Sequence, residues 1–251
     1  MVLNEIWFYA LGSVILVSSI SLLGILTLNI NEKKLEKILI YIIAFSAGTL
    51  IGDAFIHLLP EIVERQGFTL LISSYILIGI GFSFCIEKFI HWRHCHHPTS
   101  KKHLHPLTTM NLVGDGVHNF LDGIIIVASY IVSIPVGIAT TLAVALHEIP
   151  QEISEYGVLL YGGYTKNKAL LANFLISLTA IFGALLTLVL SFKSEGLINF
   201  LIPFAAGNFI YIATADLIPE LHKKSMFKES ILQLILFILG ILIMAALLLL
   251  E

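Results

Sequence analysis

The chain has 251 residues, of which 57% are hydrophobic and only 12% are charged, and its formal net charge is −3. Soluble domains carry roughly 25% charged residues, so this composition excludes an ordinary soluble domain and indicates a protein that crosses a lipid bilayer several times. The small negative charge predicts no nucleic-acid partner.

Apolar stretches long enough to cross a hydrocarbon layer of about 30 Å occur eight times along the chain. They predict an all-α polytopic membrane protein with eight transmembrane helices in a single domain, residues 1–251. The predicted spans cover residues 6–29, 38–59, 69–90, 107–129, 135–161, 168–192, 197–221 and 229–250.

The basic residues predict the orientation of these spans. Twelve of the 14 Lys and Arg residues lie in or beside the loops that follow odd-numbered spans, and only Arg65 and Lys193 lie elsewhere. Basic residues accumulate in cytoplasmic loops, so the odd-numbered loops are predicted to be cytoplasmic. Both termini are then extracytoplasmic, and we expect a multi-pass protein of the cell membrane.

Residues 47–61 in span 2 and 206–220 in span 7 align without a gap, and both segments begin with Ala-Gly and end with Pro-Glu. Because spans 2 and 7 cross in opposite directions, the match predicts an inverted repeat of spans 1–3 and 6–8 around the central spans 4 and 5. Such repeats are typical of secondary transporters. The alternative is a chance match between two Leu/Ile-rich spans.

Span 2 carries Asp53 and His57, which lie four residues apart and therefore on one helix face. Asp216 occupies the position in span 7 that repeats His57. Ionisable residues within a span are costly, so this pair either lines an ion route or forms a hydrogen-bonded contact between helices. Asp115, Glu155 and Asp216 are the further candidates for an ion route.

Two polar faces interrupt the apolar pattern of the central spans. At about 100° per residue, the polar residues of span 4 share one face, and those of span 5 fall within an arc of about 140°. A charged side chain at the centre of a span costs about 2.5–3.5 kcal/mol, so neither face is expected to contact lipid. The residues are Asp115, His118, Asn119 and Asp122 in span 4, and His147, Glu148, Gln151, Glu152 and Glu155 in span 5.

A short loop near residues 129–135 joins spans 4 and 5, so they are predicted to run antiparallel with their polar faces together. Imidazole, carboxylate and amide groups from facing helices are ligands for a divalent cation. A purely structural hydrogen-bonded network is the alternative. Pro150 lies within span 5 and cannot donate to the carbonyl of Leu146, so an oxygen is freed beside His147.

The predicted cytoplasmic loop at residues 91–106 is rich in histidine. Short tracts of this kind bind transition metals, so the loop either receives or senses metal ions or is a plain linker. The loop histidines singled out are His94, His96, His97, His103 and His105.

The segments His118-Asn119-Phe120-Leu121-Asp122-Gly123 and His147-Glu148-Ile149-Pro150-Gln151-Glu152 resemble the helix 4 and helix 5 signatures of ZIP (Zrt/Irt-like) divalent-metal transporters. The resemblance extends over nearly the whole chain, and it implies import of ions into the cytoplasm by alternating access. It further implies zinc as the transported substrate, with iron, manganese or cadmium as additional substrates, and a homodimer in the bilayer.

The resemblance also implies a binuclear metal centre halfway across the membrane. His118, Asp122, Gln151 and Glu152 would hold one ion. Asn119, Asp122, Glu148 and Glu152 would hold the other, with Asp122 and Glu152 as bridges and His147 close by. Many members of the family have a second histidine where this chain has Gln151, and an amide oxygen there favours harder ions than imidazole does.

An intramembrane zinc-dependent hydrolase is the competing function. His147-Glu148 resembles the start of the H-E-x-x-H motif of zinc proteases, in which two histidines hold zinc. The second histidine is missing, because Gln151 stands at its position. A hydrolase would have to use Asp53, His57 and Asp216 with the histidines of spans 4 and 5. The sequence therefore favours a transporter and not an enzyme.

Overall fold

The computed structural model describes residues 2–27, 32–91, 106–161, 163–191, 195–222 and 227–250, and its secondary structure in these ranges is helical. The described elements form eight helical rods, named α1 to α8 in chain order. Rods α1 to α4 are Val2–Ser18 continued by Ser19–Leu23 and Gly24–Thr27; Glu32–Gly52 continued by Asp53–Leu58 and Leu59–Gln66; Leu70–His91; and Pro106–Val132. Rods α5 to α8 are Ile134–Tyr161; Lys166–Ser177 continued by Thr179–Ser191; Glu195–Tyr211 continued by Ile212–Leu217 and Ile218–His222; and Phe227–Leu247 continued by Leu248–Leu250.

Within the described ranges, seven rods are long and apolar enough to cross a membrane. The remaining rod is α5, whose 28 residues include three glutamates in its second half. The predicted all-α polytopic membrane fold is confirmed, and the rods follow the predicted spans closely. The clearest difference is α2, which continues to Gln66 and beyond its predicted end at residue 59.

The α4–α5 hairpin is tighter than predicted. Helix α4 ends at Val132 and α5 begins at Ile134, so the expected loop near residues 129–135 is reduced to Ser133. The hydroxyl of Ser133 accepts a hydrogen bond from the backbone N–H of Val136 (3.2 Å) and caps the first turn of α5. The two rods fold back on each other as predicted, since His118 of α4 contacts His147 of α5.

The helical course of α5 continues through Pro150. Proline lacks an N–H, so the carbonyl of Leu146 loses its partner within the helix. The hydroxyl of Ser46 in α2 donates to this carbonyl oxygen at 2.6 Å. The oxygen that the sequence predicts to be free is therefore bound by a neighbouring rod.

Rods α2 and α7 share an unusual backbone feature at equivalent positions of the predicted repeat. Each contains six π-helical residues, Asp53–Leu58 in α2 and Ile212–Leu217 in α7. These segments coincide in the gapless alignment of residues 47–61 with 206–220. π-Helical turns are rare and occur frequently at functional sites, so their paired occurrence supports a common origin of the two rods.

Glycines at equivalent positions of α2 and α7 also make equivalent close contacts with neighbouring rods. Gly48 of α2 lies against the carbonyl of Phe237 in α8, with no room for a Cβ. Gly207, the equivalent glycine of α7, lies in the same way against the carbonyl of Ile76 in α3. Small residues at such contacts let helix backbones approach closely in a membrane. The α2–α8 and α7–α3 pairs thus flank the central hairpin in matching ways.

Candidate metal centre

Four side chains of α4 and α5 meet inside the hairpin. The Nε2 atoms of His118 and His147 lie 3.1 Å apart. His118 Nε2 lies 3.3 Å from Glu148 Oε1 and 3.7 Å from Asp122 Oδ2. His147 Nε2 lies 3.4 Å from Asp122 Oδ2 and 3.6 Å from Glu148 Oε1. We call these four side chains the four-group cluster.

The cluster has the dimensions of a tetrahedral zinc site. Zinc bonds to imidazole nitrogen and carboxylate oxygen measure about 2.0–2.2 Å, so neighbouring ligand atoms of a tetrahedral site lie about 3.3–3.6 Å apart. The five measured separations run from 3.1 to 3.7 Å, and all four ligand atoms lie within 4.8 Å of one another. Two nitrogens and two oxygens are a ligand set that suits zinc.

The oxygens of the cluster need a partner. Asp122 and Glu148 are fully buried, and no described group gives a well-directed hydrogen bond to any of their four carboxylate oxygens. Buried polar groups are normally hydrogen-bonded, because an unmet group loses its interaction with water without compensation. A divalent cation between these residues would meet that need.

The ring of His147 is held in a suitable orientation for a ligand. Its Nδ1 lies 3.2 Å from the carbonyl oxygen of Ala143. A carbonyl only accepts hydrogen bonds, so Nδ1 carries the hydrogen and Nε2 of the neutral ring offers its lone pair to the cluster. Such a contact at the remote nitrogen is typical of metal-binding histidines.

Three further predicted residues form a hydrogen-bonded group beside the cluster. Asn119 Nδ2 donates to Asp115 Oδ1 (3.1 Å), and Gln151 Nε2 donates to the same oxygen at 3.5 Å. The amide oxygen of Asn119 is buried and accepts no hydrogen bond from the described residues. Gln151 thus faces Asp115 in this structure, whereas the resemblance implies that it binds the first ion.

Glu152 lies outside the four-group cluster. Its Oε2 accepts a hydrogen bond of 2.6 Å from Nδ2 of Asn173 on α6. Glu148 lies one turn earlier on α5. The predicted polar face of α5 is therefore divided, with His147 and Glu148 towards α4 and Glu152 towards α6.

Two cavities lie beside the cluster, and we call them together the acidic cavity; both are lined by Glu87, Gln151, Glu155 and Asp216. The inner one, about 240 Å³, is lined by His118, Asp115 and Glu155. The outer one, about 620 Å³, extends along Asp216 to Glu220, near the end of α7. Further acidic lining comes from Glu87 of α3, whose carboxylate accepts a hydrogen bond from the hydroxyl of Tyr211. The predicted pathway residues Asp115, Glu155 and Asp216 share this cavity.

Asp53 and His57 are buried away from this cavity. Oδ2 of Asp53 accepts a hydrogen bond from Thr140 of α5 (3.0 Å), and Nε2 of His57 lies 2.9 Å from the carbonyl oxygen of Met244 in α8. The structure therefore places the pair in contacts between rods. The loop histidines His94, His96, His97, His103 and His105 lie outside the described residues.

Two residues of this site were not predicted from the sequence. Asn173 binds Glu152, and Ser46 binds the carbonyl of Leu146. A fully buried asparagine within an apolar span is a detectable signal, because polar groups in spans usually need partners. Serine gives no such signal, since it satisfies itself within a helix, as Ser46 also does with Ile42 (2.9 Å).

Comparison with known proteins identifies the family. Residues 4–109 and 104–248 match the family model described as ZIP Zinc transporter. The chain belongs to the ZIP family. The two matches together span nearly the whole chain, so membership rests on the entire bundle and not only on the α4–α5 motifs.

The matches to curated ZIP-family relatives also extend over nearly the whole chain. The chain is 27% identical over 302 residues to Zinc transporter zipt-7.2 of Caenorhabditis elegans, covering 96% of this chain and 65% of the relative. It is 28% identical over 307 residues to Zinc transporter zipt-7.1 of Caenorhabditis briggsae, covering 94% and 78%. It is 25% identical over 329 residues to the human Zinc transporter SLC39A7, covering 95% and 70%. The chain thus spans less than two thirds of the C. elegans protein.

The hydrolase alternative is not favoured. It requires Asp53 and His57 near the histidines of α4 and α5, but these residues are held by Thr140 and by the carbonyl of Met244. ZIP-family membership instead favours a transporter.

Proposed function

We propose that this protein transports divalent transition-metal ions, with zinc as the preferred substrate, through the site between α4 and α5. The observation that carries the proposal is the four-group cluster, whose separations match a tetrahedral zinc site and whose buried carboxylate oxygens have no well-directed hydrogen bond from the described residues. The zinc-transporter names of the relatives support the same substrate. Cadmium, iron and manganese are the further candidate substrates.

The proposed centre is binuclear. The first ion is held by the four-group cluster, and the second lies beside Glu148 with Glu152, Asn119 and Asp122 as its other ligands. Support comes from the spacing of Glu148 and Glu152, which lie one turn apart on α5, and from the buried amide oxygen of Asn119, which accepts no hydrogen bond from the described residues. Two divalent ions would offset four of the five acidic charges that the described residues of the hairpin bury.

The proposed direction of transport is toward the cytoplasm. The acidic cavity leads from His118 past Glu155 and Asp216 to the ends of α3, α5 and α7. The loops that follow these rods hold most of the basic residues, which supports a cytoplasmic location for them. In this orientation both termini are extracytoplasmic, and the structure is open toward the cytoplasm.

A contact on the opposite side of the site supports a mechanism of alternating access. Asp53 and Thr140 form a fully buried contact between α2 and α5, nearer the predicted outer ends of these rods. An ion arriving from outside would need this contact between α2 and α5 to rearrange. We therefore propose a second, outward-open conformation in which Asp53 and His57 line the entry route.

Metal uptake by purified protein tests the function. Proteoliposomes that contain a zinc-sensitive dye should show saturable zinc uptake, and Asp122→Ala should reduce that uptake to the level of empty liposomes. Asp122 contacts both cluster histidines, so its loss removes a ligand and leaves Glu148 alone against the imidazoles. A panel with Cd²⁺, Fe²⁺ and Mn²⁺ defines the selectivity.

Glu64→Ala is the matched control, because Glu64 is an exposed acidic residue near the end of α2. It should transport like the wild type. Equal zinc flux in empty liposomes and in wild-type proteoliposomes would contradict the proposed function, and so would full activity of Asp122→Ala.

A further inference from the structure

Three buried serines join α1 to α6. We call Ser18, Ser21 and Ser177 the serine seam. Ser18 Oγ donates to the carbonyl of Ser177 (3.0 Å), and Ser177 Oγ donates back to the carbonyl of Ser18 (2.9 Å). The hydroxyls of Ser21 and Ser177 lie 3.0 Å apart. The seam lies where α1 changes to a 3₁₀ segment and where α6 is interrupted at Leu178. These reciprocal bonds fix the position of α1 relative to α6 along their lengths.

Asn173 stands one turn before Ser177 on α6 and is fully buried. Its Nδ2 donates to Glu152 Oε2 at 2.6 Å and lies 3.3 Å from the carbonyl of Ser21 and 3.4 Å from that of Glu152. All three neighbours are acceptors, so the amide nitrogen and not the amide oxygen must face them. The amide links α1, α5 and α6 at Glu152.

The bond to Glu152 is short and has an ionisable acceptor, features of the stronger class of hydrogen bonds. It holds one oxygen of Glu152 toward α6, while Glu148 lies one turn earlier on the same rod. Two carboxylates one turn apart repel each other, and without a fixed donor Glu152 would turn away. Asn173 therefore keeps the two carboxyl groups side by side.

We propose that Asn173 is a positioning residue for metal binding, which acts by holding Glu152 beside Glu148 so that the pair binds the second divalent cation. This inference rests on the proposed function, because it concerns one half of the binuclear centre. Asn173 does not contact the four-group cluster, so the first ion is bound without it.

Zinc titration of the purified protein tests this role. Asn173→Leu keeps the branched shape of asparagine but has no donor, and it should weaken binding of one of the two ions about tenfold, the effect expected for a lost hydrogen bond to a charged group. The other ion should bind as in the wild type. Ser177→Ala, the control, breaks the seam but leaves the Asn173–Glu152 bond and should change both affinities by less than about twofold.

A double-mutant cycle separates positioning from general stabilisation. Glu152→Ala should weaken the same ion, and Asn173→Leu should add nothing in that background, because its effect passes through Glu152. A further loss in the double variant would overturn the inference, as would wild-type binding by Asn173→Leu or a wild-type protein that binds a single ion. Thermal unfolding identifies a variant that fails to fold, and Asn173→Ala then replaces Asn173→Leu.

The four-group cluster is judged separately in the same titration. Asp122→Ala should lose both ions. If Asp122→Ala binds zinc like the wild type, the proposed function fails. If only the Asn173 variants behave like the wild type, the proposed function stands and the role of Asn173 is overturned.

Discussion

The side chains of the centre illustrate how neighbouring residues on one helix serve different partners. His147 and Glu148 meet α4, whereas Glu152 meets Asn173 of α6. The predicted polar arc of about 140° is wide enough to face two neighbours, because each helix of a bundle contacts more than one other helix. Spacing along the chain could identify the ionisable residues of α5 but could not distribute them between α4 and α6.

The pairing of α4 and α5 was more predictable at the level of single residues. A short connection requires an antiparallel hairpin, and His118 and His147 lie nearly equal distances from its break at Ser133. The sequence therefore predicted that the two polar faces come together, and in the structure His118 and His147 meet there. Asn173 was not predicted, because its partner lies 21 residues away in the chain on a rod whose rotation depends on the whole bundle.

The two histidines of the cluster predict a pH dependence. Imidazole binds metal only in its neutral form, so protons and metal compete for Nε2, and metal binding releases protons. Zinc uptake into proteoliposomes should fall as the external pH is lowered from about 7.5 to about 5, because a higher proton concentration competes more strongly with zinc for the imidazole and carboxylate ligands. Rates measured at fixed free zinc across this range check the prediction, and a flat profile would argue against histidine ligands.

At the scale of elements, the repeat is expressed as packing and not only as sequence similarity. The π-helical segments Asp53–Leu58 and Ile212–Leu217 widen equivalent turns of α2 and α7. Gly48 and Gly207 make equivalent close contacts with α8 and α3. The glycines were visible in the sequence, but the π-helical turns were not, since a local change of helical period has no simple residue pattern.

Helix α3 offers a matched test of this packing. A Cβ on Gly79 would overlap with the carbonyl of Phe204 in α7, whereas a Cβ on Gly81 would meet nothing within 4 Å. Gly79→Ala should therefore destabilise the protein by about 1–3 kcal/mol through forced separation of α3 and α7. Gly81→Ala should be neutral or slightly stabilising, because alanine favours helix. Thermal unfolding in detergent compares them, and equal melting temperatures would contradict the close α3–α7 contact.

At the scale of the whole molecule, the two flanking helix pairs enclose a hairpin that carries most of the buried charge. Two hydrogen bonds join α2 to α5 in the described residues: Ser46 donates to the carbonyl of Leu146, and Asp53 accepts from Thr140. Both contacts are polar and therefore directional, so they define one relative position of α2 and α5. A transporter that alternates between two conformations must exchange such contacts, and these two distinguish the conformation seen here.

The histidine-rich loop belongs to the same whole-molecule question, because it follows α3, whose end borders the acidic cavity. The proposed transport depends on the cluster within the hairpin, whereas short histidine-rich tracts bind metal weakly. Deletion of residues 94–105 should therefore leave the maximal rate of zinc uptake unchanged and alter only its dependence on zinc concentration. Initial rates in proteoliposomes at increasing zinc check this.

Asp122→Ala provides the comparison for the deletion, since it removes a ligand of the cluster without touching the loop. The loop deletion should retain uptake and Asp122→Ala should lose it, provided that both proteins reach the membrane in equal amounts. The reverse result would place the essential metal ligands in the loop. In that case the buried acidic and imidazole groups of the hairpin would need another explanation, because their burial is costly and no hydrogen bonds from the described residues satisfy the carboxylates of Asp122 and Glu148.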